Sequence, residues 1–115
     1  MKLWQPENPL GIYYKVVDTA ASSTTIVLGR LNQQIVLISA SIIVSTNTAV
    51  QWYSSTGPTE LSGPQSITAT GGYILPFNAG GWLQTAIGDS LILTITPNVQ
   101  IGGMVSYVWI NQPGN

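Results

Sequence analysis

No part of this chain keeps a helical period for longer than one turn, and that excludes any fold with a helical layer. In its place stands a series of short β-rich runs cut by glycine and proline. The stretch from Gly71 to Ile110 shows the pattern most fully. It holds three strand-like segments joined by glycine-marked turns. Its one long loop has an aromatic residue at each end, Phe77 and Trp82.

In chain order, Gly11 to Val17 reads as the first strand, with Ile12, Tyr14 and Val16 on one face. Thr24 to Leu28 reads as a short β-branched strand. Ile35 to Ser45 is the longest. Its even positions (Val36, Ile38, Ala40, Ile42, Val44) are all apolar and predict a core face at period two. Its odd positions (Ile35, Leu37, Ser39, Ser41, Ile43, Ser45) mix apolar with small polar groups. A solvent face normally carries longer polar or charged groups, so this face is expected to lie under another chain or an arm.

Ala49 to Ser54 places Val50 and Trp52 on one side, and short extended segments follow at Ser66 to Thr70 and Tyr73 to Leu75. Ser90 to Thr96 alternates with Leu91, Leu93 and Ile95 inward. In Gln100 to Ile110, Val105, Tyr107 and Trp109 face one way and Met104, Val108 and Ile110 the other. Gly102-Gly103 is the expected bulge.

About eight short antiparallel strands indicate an all-β, single-domain β-sandwich. A jelly roll is the expected form, because eight strands in two sheets suit 115 residues. Residues 1–10 contain Pro6 and Pro9, lack periodicity and read as an extended N-terminal arm. Trp4 would give that arm an apolar anchor on a neighbouring subunit. Residues 11–115 form the sandwich domain.

Composition excludes more than it proves. There is no cysteine and no histidine, which removes disulfides, thiolate metal sites, and the commonest general base and metal ligand. Lys2, Lys15 and Arg30 are the only cations, too few for nucleic acid. Charged residues make up 6% of the chain, against roughly a quarter in ordinary domains. Such a surface is expected to be covered in an assembly. The opening residues carry no apolar run of a signal peptide, and Ile35 to Val44 is too short to span a bilayer. The expectation is a protein made in the cytoplasm with no membrane partner.

Catalysis fares badly. The carboxylates Glu7, Asp18, Glu60 and Asp89 fall in expected arm or loop positions and form neither a glycosidase pair nor a calcium cluster. A serine nucleophile would have only a lysine for its base, and no glycine pair opens a phosphate-binding loop. The sequence therefore indicates no enzyme, no cofactor and no metal. Asp89 is expected to bond backbone amides within its own turn. Phe77 and Trp82 admit three uses: sugar stacking, plugging one end of the sandwich, or contact with a partner chain.

The run from Gln33-Gln34 through Ile35 to Ser41, then Leu75-Pro76-Phe77-Asn78, Gly81-Trp82, Thr85-Ala86 and Gly88-Asp89-Ser90-Leu91, and finally Gly102 to Tyr107, resembles a group of small tailed-bacteriophage structural proteins. The resemblance covers about Thr24 to Ile110 and leaves out the arm. Some members resemble head decoration, or cement, proteins, including those of cyanophages. It implies a virion protein that sits on the capsid surface as a trimer, bound to the major capsid protein. On that basis Trp4, Pro6 and Pro9 are candidates for capsid or neighbour contacts. Ile35, Leu37, Ile43, Tyr107 and Trp109 are candidates for the oligomer interface. The rival readings are a tail-fibre or receptor-binding module and a lectin-like domain, either of which would bind glycan through the Phe77 to Trp82 loop.

Overall fold

The computed structural model describes residues 11–68 and 70–111, Asn111 by its backbone alone. The arm assigned to residues 1–10, with Trp4, Pro6 and Pro9, lies outside the described residues. Among the described residues ten strands follow one another: β1 (Ile12–Thr19), β2 (Ser23–Val27), β3 (Gln33–Val44), β4 (Thr48–Ser54), β5 (Thr59–Glu60), β6 (Gln65–Ile67), β7 (Gly72–Leu75), β8 (Leu83–Gln84), β9 (Leu91–Thr96) and β10 (Ile101–Asn111). One sheet runs β1-β10-β3-β7, with β8 also on β3. The other runs β2-β9-β4-β5, with β6 also on β4. Every pairing is antiparallel. Taking β5 with β6 as one position, and β7 with β8 as another, leaves eight positions ordered 1-8-3-6 and 2-7-4-5. That is the jelly roll expected from the sequence.

Alternation builds the core where the strands are regular. Val50 and Trp52 on β4, and Leu91, Leu93 and Ile95 on β9, all point between the sheets and are buried. Trp52 carries a polar atom into that core. Its Nε1–H donates to the Tyr73 hydroxyl of β7 at 2.8 Å, a bond from one sheet to the other. Burial pushes the Tyr73 hydroxyl up from its ordinary pKa, and the bond from Trp52 opposes this only in part.

The longest strand departs from its expected pattern. Opposite β10, Ser39 pairs with Ser106 but the next partner, Tyr107, pairs with Leu37. Ile38 is therefore an extra residue, a bulge that reverses which side chains face inward. Beyond it Ala40, Ile42 and Val44 point into the core as expected. Before it Ile35 and Leu37 do so instead, at 1% and 0% exposed. Val36 lies on the outer side, yet it is buried because Gly81 presses against its side chain.

The bulge is not at Gly102-Gly103, as the glycine pair suggested. Gly102 and Gly103 pair regularly with Ile43 and Ile42. Gly103 is required for another reason: its φ is 146°, and a Cβ there would collide with the Ser41 carbonyl oxygen.

Candidate functional site

The segment that carried the family resemblance is a structural clamp. Asp89 is buried in the loop between β8 and β9, and its side-chain partners come from the end of β4 and the loop after it rather than from its own turn, which corrects the sequence expectation. Ser54 Oγ donates to Asp89 Oδ2 at 2.6 Å, Thr56 N–H donates to the same oxygen at 2.9 Å, and Thr56 Oγ1 donates to Oδ1 at 2.6 Å. Burial alone would raise the carboxyl pKa. The donors from Ser54 and Thr56 outweigh it and hold the group below its ordinary value.

Neighbouring residues extend the clamp. Ser54 Oγ also accepts from Ala86 N–H at 3.0 Å. Ser90 N–H donates to Ser55 Oγ at 3.0 Å, and Ser90 Oγ accepts from Gly29 N–H at 2.8 Å. Thr85 Oγ1 accepts from Ile35 N–H at 2.9 Å. Three loops are thus tied together through short side chains. The carboxylate meets two hydroxyls and one amide, all of them donating to it, and through them it anchors the loop. Among the described residues no group of three His, Cys, Asp or Glu side chains is placed to hold a metal, and no helix is long and apolar enough to cross a membrane.

The outer face of the β1-β10-β3-β7 sheet is a different kind of surface. Strand register lines up Val16, Met104, Ser41 and Ile74 in one row across four strands. The row on one side holds Tyr14, Ser106 and Ser39; the row on the other holds Asp18, Gly102, Ile43 and Gly72. Large apolar groups therefore surround a floor of serine and glycine. Tyr14 is 68% exposed, Val16 63%, Ile43 58%, Ile74 72% and Met104 47%. Asp18, at the edge, is the one charge in these rows, and it accepts from Gln100 Nε2 at 2.7 Å. Together these side chains offer on the order of 500 Å² of apolar area, against the ≈ 800 Å² per partner of a standard interface.

The other candidates sort as follows. Ile43 lies on this outer face. Ile35 and Leu37 do not; the Ile38 bulge turns them into the core, where no partner can reach them. Tyr107 and Trp109 also face inward, half-buried, at the end where the sheets part, so the side of β10 open to an outer partner is that of Met104 and Ser106. Phe77 is exposed in its loop, and Trp82 is 42% exposed. Trp82 N–H donates to the Leu37 carbonyl at 2.7 Å and its Nε1–H to the Pro76 carbonyl at 2.8 Å. The loop is thereby pinned against β3, with the Trp82 indole donor already taken. The sequence alternation concealed the row of Val16, Met104 and Ile74, because each belongs to a different strand.

No known family model matches the chain, and no curated protein matches it. Among solved structures, it is similar to the electron cryo-microscopy structure of the extra small virus (XSV) virus-like particle of the giant freshwater prawn Macrobrachium rosenbergii. The TM-score is 0.36 at 11% identity, over 95% of this chain and 86% of that one. At that score the likeness carries no argument about function, which has to be read from the surface of this chain.

Proposed function

We propose that this chain is a structural virion protein: a head decoration, or cement, protein that binds the outer surface of a tailed-phage capsid as a homotrimer and stabilises the shell. The observation that carries this is the apolar outer face of the β1-β10-β3-β7 sheet, which has almost no charge and spans four strands. A monomer exposing it would lose apolar burial it could gain by association. The trimer, the capsid contact and the virion location follow the resemblance noted in the sequence. Packing of Ile43, Ile74 and Met104 against a neighbouring copy fits a closed symmetric assembly. Many weak contacts repeated over a shell would add by avidity. No reaction is assigned to the protein.

Two measurements test the proposal. Mass-spectrometric copy number in purified particles should approach that of the major capsid protein; a ratio typical of tail parts would overturn the decoration role. Light scattering of purified protein should give trimers, and Ile74→Lys with Met104→Lys should give monomers of unchanged circular dichroism. A wild-type monomer at tens of micromolar would remove the outer face as the self-contact.

One observation favours a second reading. The exposed Phe77 and Trp82 rings sit on a pinned loop, an arrangement suited to stacking on sugars in a receptor-binding module. Glycan-dependent quenching of tryptophan fluorescence, lost in Trp82→Ala, would support that reading over the first.

A further inference from the structure

The two sheets part along the β1 and β2 side of the sandwich. At one end the strands are held together, with Thr19 Oγ1 and Thr24 Oγ1 2.9 Å apart. Away from that bond they diverge, and a groove of about 490 Å³ opens between them. One wall is the run from Thr25 to Arg30, the end of β2 and the loop that follows it. The other carries Lys15 of β1 with Tyr107 and Trp109 of β10. Lys15 lies on the opposite side of β1 from Tyr14 and Val16, so the groove is separate from the apolar outer face.

Three features of this groove point to a ligand. The first is charge. Two of the chain's three cations, Lys15 and Arg30, line it, and no carboxylate among the described residues does. In a chain with 6% charged residues that convergence needs a cause, and repulsion between the two cations opposes it.

The second is geometry. The Arg30 guanidinium carbon lies 4.3 Å from the centroid of the Trp109 ring. Tyr107 meets Trp109 edge-on at 5.8 Å, and Tyr13 stacks on Tyr107 at 5.8 Å. Stacking uses the face of a guanidinium and leaves its N–H donors free in the plane. Arg30 is held over the Trp109 ring, and a guanidinium so placed still has N–H donors for a two-pronged acceptor such as a carboxylate.

The third is the strand edge. β2 pairs with β9 on one side, and among the described residues it has no ladder partner on the other. A free edge accepts an extended peptide by main-chain hydrogen bonds. A sugar acid would meet the cations but would leave that edge unpaired, so the edge favours a peptide.

We infer that the groove between β1 and β2 is a binding site for an extended acidic segment of a partner protein, with the backbone laid along β2 and a carboxylate held by Arg30 and Lys15. The inference does not depend on the virion reading.

The test is an NMR titration of the full-length ¹⁵N-labelled chain with acetyl-Thr-Val-Asp-Val-Thr-amide, and with the same peptide carrying Asn for Asp. The Asp peptide should shift the Trp109 indole N–H and the amides of β2 in a saturable way. Binding should weaken about tenfold for the Asn peptide, and about tenfold for Arg30→Gln or Lys15→Gln, as loss of one member of a charged pair does. It should also weaken as salt rises. Lys15→Gln leaves the Trp109 stack in place, so it separates lost charge from a rearranged wall. Three results would overturn the inference: no shifts at millimolar peptide, equal binding of the Asp and Asn peptides, or the same shifts produced by oligogalacturonate and not by peptide.

Discussion

Asp89 gives the most direct test of how this fold is held. Asp89→Ala removes the acceptor for three hydrogen bonds, from Ser54 Oγ, Thr56 N–H and Thr56 Oγ1. Bonds to a charged acceptor contribute roughly 1.5–3 kcal/mol each. Thr56 is exposed, so its two donors can turn to water; the Ser54 hydroxyl, on a side chain 2% exposed, cannot. The net loss is therefore about 3 kcal/mol rather than the full sum. For a domain of this size that is a fall in Tm of roughly 12 °C. Asp89→Asn keeps one good acceptor and the shape of the side chain, and should lose ~1–2 kcal/mol through weaker, uncharged bonds.

The pH dependence provides a second, independent reading of the same group. The folded-state pKa of Asp89 is depressed below its ordinary 3.8, so the unfolded chain binds the proton more tightly. The stabilisation is fully present above 3.8 and is lost as pH falls through the folded value. Asp89→Asn should remove this part of the acid destabilisation and flatten the profile of Tm against pH in that range. Both should be measured by calorimetry at protein concentrations low enough to avoid association, since assembly would mask the difference. The clamp reasoning would be refuted by an alanine variant melting within about 2 °C of wild type. It would equally be refuted by an asparagine variant with the wild-type acid profile.

Two further substitutions probe other joints. Tyr73→Phe removes only the acceptor for Trp52 Nε1–H, leaving that donor buried between the sheets. It should cost about 1–3 kcal/mol in urea unfolding, and a variant as stable as wild type would show that the bond contributes nothing. Because the Tyr73 pKa is raised, its hydroxyl should be among the last to ionise in an alkaline ultraviolet titration. The associated stability is present below pH 10.0 and lost as pH rises through the folded value. Gly103→Ala places a methyl group against the Ser41 carbonyl at a positive φ, and should abolish soluble expression or cost more than about 3 kcal/mol. A well-folded Gly103→Ala protein would contradict the close approach of β10 to β3.

The layer architecture was legible because regular strands announce themselves. Leu91, Leu93 and Ile95 alternate without interruption, and all three are in the core. Ile35 to Ile38 was misread because a bulge has no local signature in a run of Ile, Val and Leu. Its trace is only that both parities are apolar there, Ile35 and Leu37 as well as Val36 and Ile38. Asp89 was read as a local turn residue because its true partners, Ser54 and Thr56, are more than thirty positions away. Nothing in Ser54-Ser55-Thr56 marks it as the other half of a clamp. The strand order was hidden for the same reason: β1 pairs with β10, and those contacts are long-range. The shortage of charge did carry through, since the rows around Met104 hold only Asp18 as a charged group.

The most recognisable motif in the chain, from Gly81-Trp82 through Gly88-Asp89-Ser90-Leu91, looks on paper like a place for chemistry. In the fold its polar groups answer to the protein itself. The Trp82 indole N–H is held by Pro76, Thr85 caps an amide of β3, Asp89 receives three donors, and Ser90 bridges to Gly29 and Ser55. A buried group with its hydrogen-bonding capacity committed in this way fixes loops and has little left for a ligand. Groups left uncommitted are better placed to meet a partner. Two such places stand out: the apolar rows around Met104, and the cation-lined groove at Trp109. They lie on opposite sides of β1, so one molecule can pack against its copies through the first while holding a partner's acidic strand in the second.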